Sequence, residues 1–205
     1  MNLPRSLPAR LYLLAYDVEK ERVTARPQLG LVLRAAALAD LYLDERLADD
    51  DGKAKVTAAR PTGDPVLDAV IRQVAESNPR PWRRWVRADE RRIVREVRDQ
   101  LEKGRWIKVE RRRLLPDRVS LRERRQVKRY AAEVKAALRP ASHADPRTTA
   151  ALVLAACGEL PTVLTRRGRR EHERRLEELS DQVWPVARAL EKAVRQKRST
   201  ASAGG

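Results

Sequence analysis

Residues 28–47 read QLGLVLRAAALADLYLDERL. Leu29, Val32, Leu33, Ala36, Ala37, Leu41 and Leu43 recur at steps of three and four, the period of one helix face. The spacing predicts a buried helix. The run Ala35–Ala37 has so little bulk that a neighbouring element can pack closely against it. One residue breaks the apolar pattern. Arg34 stands between Leu33 and Ala35, and a guanidinium there must snorkel to water, pair with an acid such as Asp40 or another brought near by folding, or reach a pocket.

Working outward, Leu11–Tyr16 is a short apolar run and residues 17–21 are mostly charged. On the other side, Asp49–Lys53 (DDDGK) reads as a turn and Ala54–Ala58 as a short strand. Pro61-Thr62-Gly63-Asp64-Pro65 is a helix start, with Asp64 as N-cap and Pro65 at the first helical position. Val66, Leu67, Val70, Ile71 and Val74 then form one face, and Ser77-Asn78-Pro79 ends it. Arg80–Arg87 sets Trp82 and Trp85 among four arginines. A helix follows from Asp89 to Lys103, with Gly104 placed to close it at the C′ position. Arg105–Val109, Arg111–Arg113 and Leu114–Pro116 read as a β-hairpin with a basic tip. Ser120 is placed to cap a helix running to Leu138. Asp145-Pro146 repeats the cap-plus-proline signal before an apolar helix to Cys157. Arg166–Arg170 reads as a basic linker, Glu171–Arg195 as a last helix, and Ser199–Gly205 as a disordered tail.

These elements predict a mostly α fold: a single helical domain over residues 1–198 with one β-hairpin, and a tail over 199–205. Composition agrees, because Phe is absent, Gly numbers only 8 and the chain is rich in helix-forming Ala, Leu, Arg and Glu. Arg outnumbers Lys 36 to 9. A GC-rich coding bias can produce this, which hints at a bacterial source, and arginine also favours bidentate binding of phosphate.

The charge is unevenly placed. Residues 1–81 hold 12 basic and 12 acidic side chains, residues 82–139 hold 21 and 9, and residues 140–205 hold 12 and 8. Most of the net +16 therefore lies in one 58-residue stretch, which is the electrostatic footprint of a polyanion-binding surface.

Catalytic chemistry is poorly represented. His143 and His172 lie 29 residues apart, no metal-ligand spacing occurs, and there is no GxSxG, P-loop or GxGxxG. Cys157 is alone inside Ala150–Cys157, so it reads as a small buried hydrophobe. The expectation is a non-catalytic protein with no cofactor and no metal. Residues 1–10 lack an apolar signal core, and the longest apolar run has eight residues, far short of a bilayer span. A cytoplasmic protein touching membranes only peripherally is expected. On the helix after the hairpin, Arg122, Arg125, Lys128 and Arg129 recur at steps of three and four and form a basic stripe.

Three segments together resemble the Golgi phosphoprotein 3 family. They are Leu31–Leu47 (LVLRAAALADLYLDERL), Arg60–Pro79 (RPTGDPVLDAVIRQVAESNP, with P-T-G-D-x-x-L-D as the most specific string) and Val97–Leu115 (VRDQLEKGRWIKVERRRLL). Asp145–Leu164 is a weaker match. The resemblance spans roughly residues 10–165. It implies a helical domain with a β-hairpin and a peripheral membrane protein whose eukaryotic relatives bind phosphatidylinositol 4-phosphate and retain glycosyltransferases. It further implies a basic headgroup pocket in which Arg34 is the arginine of the first conserved helix, with Arg125 and Lys128 as the later pair and Arg129 or Arg122 in the adjoining register. The family's pocket tryptophan has no counterpart, because Ala25 stands nine residues before Arg34 and the first Trp is Trp82.

The expected partners are an anionic phospholipid headgroup, the membrane surface and membrane-protein tails. Trp106 and Ile107 with Arg111, Arg112 and Arg113 are expected either to insert an amphipathic hairpin tip at an anionic membrane or to pack Trp106 on the core, and the resemblance implies self-association through the same hairpin. The competing reading is a nucleic-acid-binding protein using the basic segment 82–139. A third reading is a scaffold that binds protein tails.

Overall fold

The computed structural model describes residues 3–113, 117–140 and 144–203. Helix α1 (Leu7–Leu14) leads through a two-residue ribbon, β1 (Tyr16–Asp17) and β2 (Arg22–Val23), into α2 (Arg26–Leu43). Every residue of α2 from Leu29 to Leu41 is buried. A helix buried on all sides is a core helix rather than an amphipathic surface one. The low bulk of Ala35, Ala36, Ala37 and Ala39 permits this, and helices from before and after α2 in the chain surround it.

β3 (Leu47–Asp50) and β4 (Lys53–Val56) form a hairpin turning at Asp51-Gly52, and β5 (Arg80–Pro81) adds a short third strand. Between β4 and β5 runs α3 (Pro65–Ala75). Its start explains the P-T-G-D string. Asp64 Oδ1 accepts hydrogen bonds from the N–H groups of Val66 and Leu67 at 2.9 and 3.2 Å. Asp68 Oδ1 accepts from Thr62 N–H and Oγ1 at 2.6 and 2.7 Å, so the loop is tied to the helix it precedes.

α4 (Trp82–Val86) and α5 (Glu90–Lys103) follow. α5 comes so close to α2 that a Cβ placed on Gly30 would lie 2.6 Å from Glu90 Cβ and 2.7 Å from its carbonyl oxygen. Gly104 has φ −73°, so the left-handed residue after α5 is Arg105, at φ 58°. The chain reverses there, and Trp106 N–H donates to Leu101 O at 2.9 Å.

The expected hairpin is β6 (Ile107–Glu110) paired with β7 (Arg118–Leu121), in the register Ile107↔Leu121 and Val109↔Val119. Leu114–Pro116 lie outside the described residues. Ser120 pairs with Lys108 inside β7 and caps no helix, since alternating Val119 and Leu121 extend the strand. α6 (Arg124–Ala136) therefore starts three residues later than a cap at Ser120 would place it.

α7 (Pro146–Cys157) is capped as expected, with Asp145 Oδ1 accepting from Arg147 and Thr148 N–H at 3.0 and 3.1 Å. The presumed basic linker is helical instead. α8 (Arg166–Glu171) is capped by Thr165 Oγ1, which accepts from Gly168 N–H at 3.1 Å. The last helix is also divided into α9 (Glu173–Ser180), a 3-10 turn over Asp181–Val183, and α10 (Trp184–Ala203). Pro185 has no N–H to donate and fits the first turn of a new helix. α10 runs through Ser199, where a disordered tail was expected, as far as Ala203. Gly204 and Gly205 lie outside the described residues.

Candidate anion-binding face

The residues assigned to one pocket fall into two environments. Arg34 is 3% exposed and points toward α3 and α4. Its Nε donates to Trp85 O at 3.2 Å and its Nη2 to Gln73 Oε1 at 3.0 Å. Gln73 Nε2 in turn donates to Asp89 Oδ2 at 2.7 Å. Arg34 thus reaches a carboxylate only through an amide. Burial pulls its pKa down to about 10, and the charges of Asp89 and Glu96 resist that shift. No residue of α6 is among its partners.

The expected acid, Asp40, is engaged elsewhere. Its Oδ2 accepts from Leu7 N–H at 2.8 Å and its Oδ1 from Arg147 Nε at 2.8 Å, while Arg147 Nη2 reaches Asp44 at 2.6 Å. Burial raises the Asp40 pKa, and the Leu7 N–H and Arg147 oppose the rise. This network staples the starts of α1 and α7 to α2. Asp40 and Arg147 are 107 residues apart in sequence, so nothing local marks the pair.

α6 packs Val127, Tyr130 and Val134 inward and turns its cations outward. The cations divide along two edges. On the edge facing the β1–β2 ribbon, Lys128 Nζ pairs with Glu19 at 2.7 Å, Arg124 is bridged to Glu21, and Arg118 reaches Glu21 at 3.5 Å. The hydrogen bond from Arg124 and its charge hold the Glu21 carboxyl below the usual glutamate range. One position further round, Arg125 and Arg129 are exposed and make no ion pair among the described residues. Arg122, at the β7–α6 junction, is also exposed and unpaired among them. Glu19 and Glu21 belong to the electrically neutral first 81 residues, and only the fold shows which cations they neutralise.

The hairpin divides similarly. Trp106, Ile107 and Val109 are buried, at 5%, 1% and 7% exposure, so the packing alternative holds and Trp106 and Ile107 present no apolar tip to a membrane. Trp106 is drawn inward by the tight turn at Arg105, and Ile107 by strand alternation. Arg111 bonds Glu102 at 3.1 Å, which also accepts Val109 N–H at 2.9 Å. Arg112 and Arg113 are exposed and, among the described residues, unpaired.

The arrangement offers exposed cations to anions from solvent. Arg112, Arg113, Arg122, Arg125 and Arg129, unpaired among the described residues, are guanidiniums able to take phosphate oxygens in pairs. Among the described residues, no group of three His, Cys, Asp or Glu side chains is placed to hold a metal ion. Nor is any helix among them long and apolar enough to cross a membrane. Cys157 is half-buried rather than fully buried, and burial pushes its thiol pKa up to about 12, away from nucleophilic use. His143 lies outside the described residues.

No curated protein matches the chain. The Golgi phosphoprotein 3 (GPP34) family matches residues 7–197, a span running from the start of α1 into α10 and including Arg34, the P-T-G-D helix start, the hairpin and α6. The chain belongs to the Golgi phosphoprotein 3 family.

Proposed function

We propose that this chain is a non-catalytic peripheral protein that docks on anionic membranes through the outer edge of α6. The carrying observation is the asymmetry of that helix. Arg124 and Lys128 are matched by Glu21 and Glu19, while Arg125 and Arg129 are left without an acid among the described residues. Cations that folding does not pair keep their attraction for a ligand. Each basic side chain near an anionic bilayer adds about 1 kcal/mol to binding. Arg122, Arg112 and Arg113 enlarge the same positive field.

In this reading Arg125 and Arg129 contact headgroup phosphates, and Lys128 contributes only when Glu19 releases it. Arg34 sets the packing of α2 against α3 and α4 and does not touch the lipid. A phosphoinositide such as phosphatidylinositol 4-phosphate suits the site because its monoester phosphate carries more charge than a plain phospholipid. Membrane-protein tails are proposed as cargo, in keeping with the family.

Co-sedimentation with vesicles at two salt concentrations tests the reading. One set contains phosphatidylinositol 4-phosphate, and another a plain anionic lipid at matched charge. Duplex DNA is added as competitor. Salt-sensitive binding to the phosphoinositide vesicles, stronger than to the plain anionic ones, is expected. Displacement of the protein by DNA, or no binding at low salt, overturns it.

A further inference from the structure

A cleft of about 450 Å³ lies between α4 and α10, built from residues other than those of the α6 face. Trp82, Trp184 and Pro185 supply apolar walls, and Arg83, Arg188 and Lys192 supply cations. The Trp82 wall is fixed. Its indole N–H donates to Asp49 Oδ1, and its ring meets Tyr42 edge-on at 5.8 Å. Asp49 also lines the cleft, but its other oxygen accepts from Gly52 N–H at 3.3 Å, so both oxygens already have donors.

The opposite wall is open. Trp184, at 44% exposure, is the exposed large hydrophobic side chain among the described residues, and the Arg188 guanidinium sits 5.2 Å over its ring. Arg83, Arg188 and Lys192 make no ion pair among those residues. The nearby acid on α10, Glu191, turns to Arg195 at 2.9 Å. Arg188 and Lys192 are i,i+4 neighbours of like charge, an arrangement that costs helix stability until an anion neutralises it. The larger cavity, of about 650 Å³ beside α7 to α10, shares Trp184 and Arg188 with this cleft but offers no comparable excess, since its five arginines, Arg188 among them, face four glutamates.

We propose that the α4–α10 cleft binds a phosphate monoester carried on an aromatic or other flat apolar body. With Asp49 counted, the lining carries a formal charge of +2. A monoester is close to −2 at neutral pH, whereas a carboxylate supplies a single charge. Arg83 and Arg188 take phosphate oxygens in bidentate fashion, Lys192 adds a point charge, and the exposed Trp184 ring stacks against the body.

Three probes test the assignment: phenyl phosphate, inorganic phosphate, and phosphatidylcholine vesicles doped with phosphatidic acid. Phenyl phosphate should bind saturably and more tightly than inorganic phosphate. The double substitution Arg188→Gln/Lys192→Gln should weaken it by about tenfold or more. Trp184→Ala should remove the preference over inorganic phosphate. All three residues are exposed, so folding is expected to survive, and circular dichroism checks it. Arg125→Gln/Arg129→Gln should leave the preference for phenyl phosphate over inorganic phosphate unchanged, which separates this site from the α6 face. Vesicle binding that falls with the Arg188/Lys192 pair places the monoester on a lipid; binding of phenyl phosphate alone places it on a soluble molecule. If neither phenyl phosphate nor vesicle binding responds to that pair, the proposal is overturned.

Discussion

The two edges of α6 have the same residue chemistry and opposite circumstances. On one edge Arg124 and Lys128 meet Glu21 and Glu19, and on the other Arg125 and Arg129 meet solvent. A third circumstance is that of Arg34, buried under α3 and α4 and held by a carbonyl and an amide. The comparison teaches that the charge excess of a segment overstates what a ligand can use. Some cations are spent on packing and some on counter-ions, and only the remainder is available for binding.

The largest expected effect tests the buried case. Arg34→Ala removes the partner of Trp85 O and opens space beside α2, so it should cost about 3 kcal/mol of stability, read as a fall in the urea midpoint. Per folded molecule, vesicle binding should be unchanged. A loss of binding without a loss of stability would return Arg34 to the lipid site. Gly30→Ala probes the same core and should cost about 2 kcal/mol, because the new methyl meets Glu90 backbone as well as side chain.

On the surface, Arg125→Gln/Arg129→Gln should weaken binding to anionic vesicles by about 2 kcal/mol, roughly thirtyfold, with little change in thermal midpoint. Glu19→Gln/Glu21→Gln should do the reverse. It frees Lys128, Arg124 and Arg118, and vesicle affinity should rise by about tenfold or more. Unchanged affinity would mean that the inner edge is turned away from the membrane.

The smallest effect is one of pH. Arg124 holds the folded-state pKa of Glu21 below its unfolded value. The stability this pair adds is therefore present above the ordinary glutamate pKa and is lost as pH falls through the lowered folded value. An NMR titration of the Glu21 carboxyl should show a midpoint below that of an exposed glutamate, and Arg124→Gln should raise it toward the ordinary value, with Arg118 still holding it down.

Much of the helical framework was legible because its signals are local. The caps at Asp64 and Asp145, the prolines after them and the apolar spacing of α2 all act within a few residues. The misread boundaries depended on competition between elements. Ser120 suits a cap equally well, but strand pairing with Lys108 claims it. Arg166–Arg170 looks like a linker until Thr165 caps it. The site was legible as a basic helix but not as a pocket. The partners of Arg34 are 39 and 51 residues away, and those of Arg124 and Lys128 are 103 and 109 away. Such contacts are set by tertiary packing, which no periodicity encodes. The burial of Trp106 is illegible for a related reason, since the left-handed turn at Arg105 turns two successive side chains inward.

The most direct test sets one edge of α6 against the other. Vesicle co-sedimentation at low salt would compare Arg125→Gln/Arg129→Gln with Arg124→Gln/Lys128→Gln, two variants of equal net charge. The account predicts a roughly thirtyfold loss of affinity for the first and a loss of less than about threefold for the second. Equal losses would show that net charge alone governs binding and would contradict the division of α6 into a spent edge and a free one.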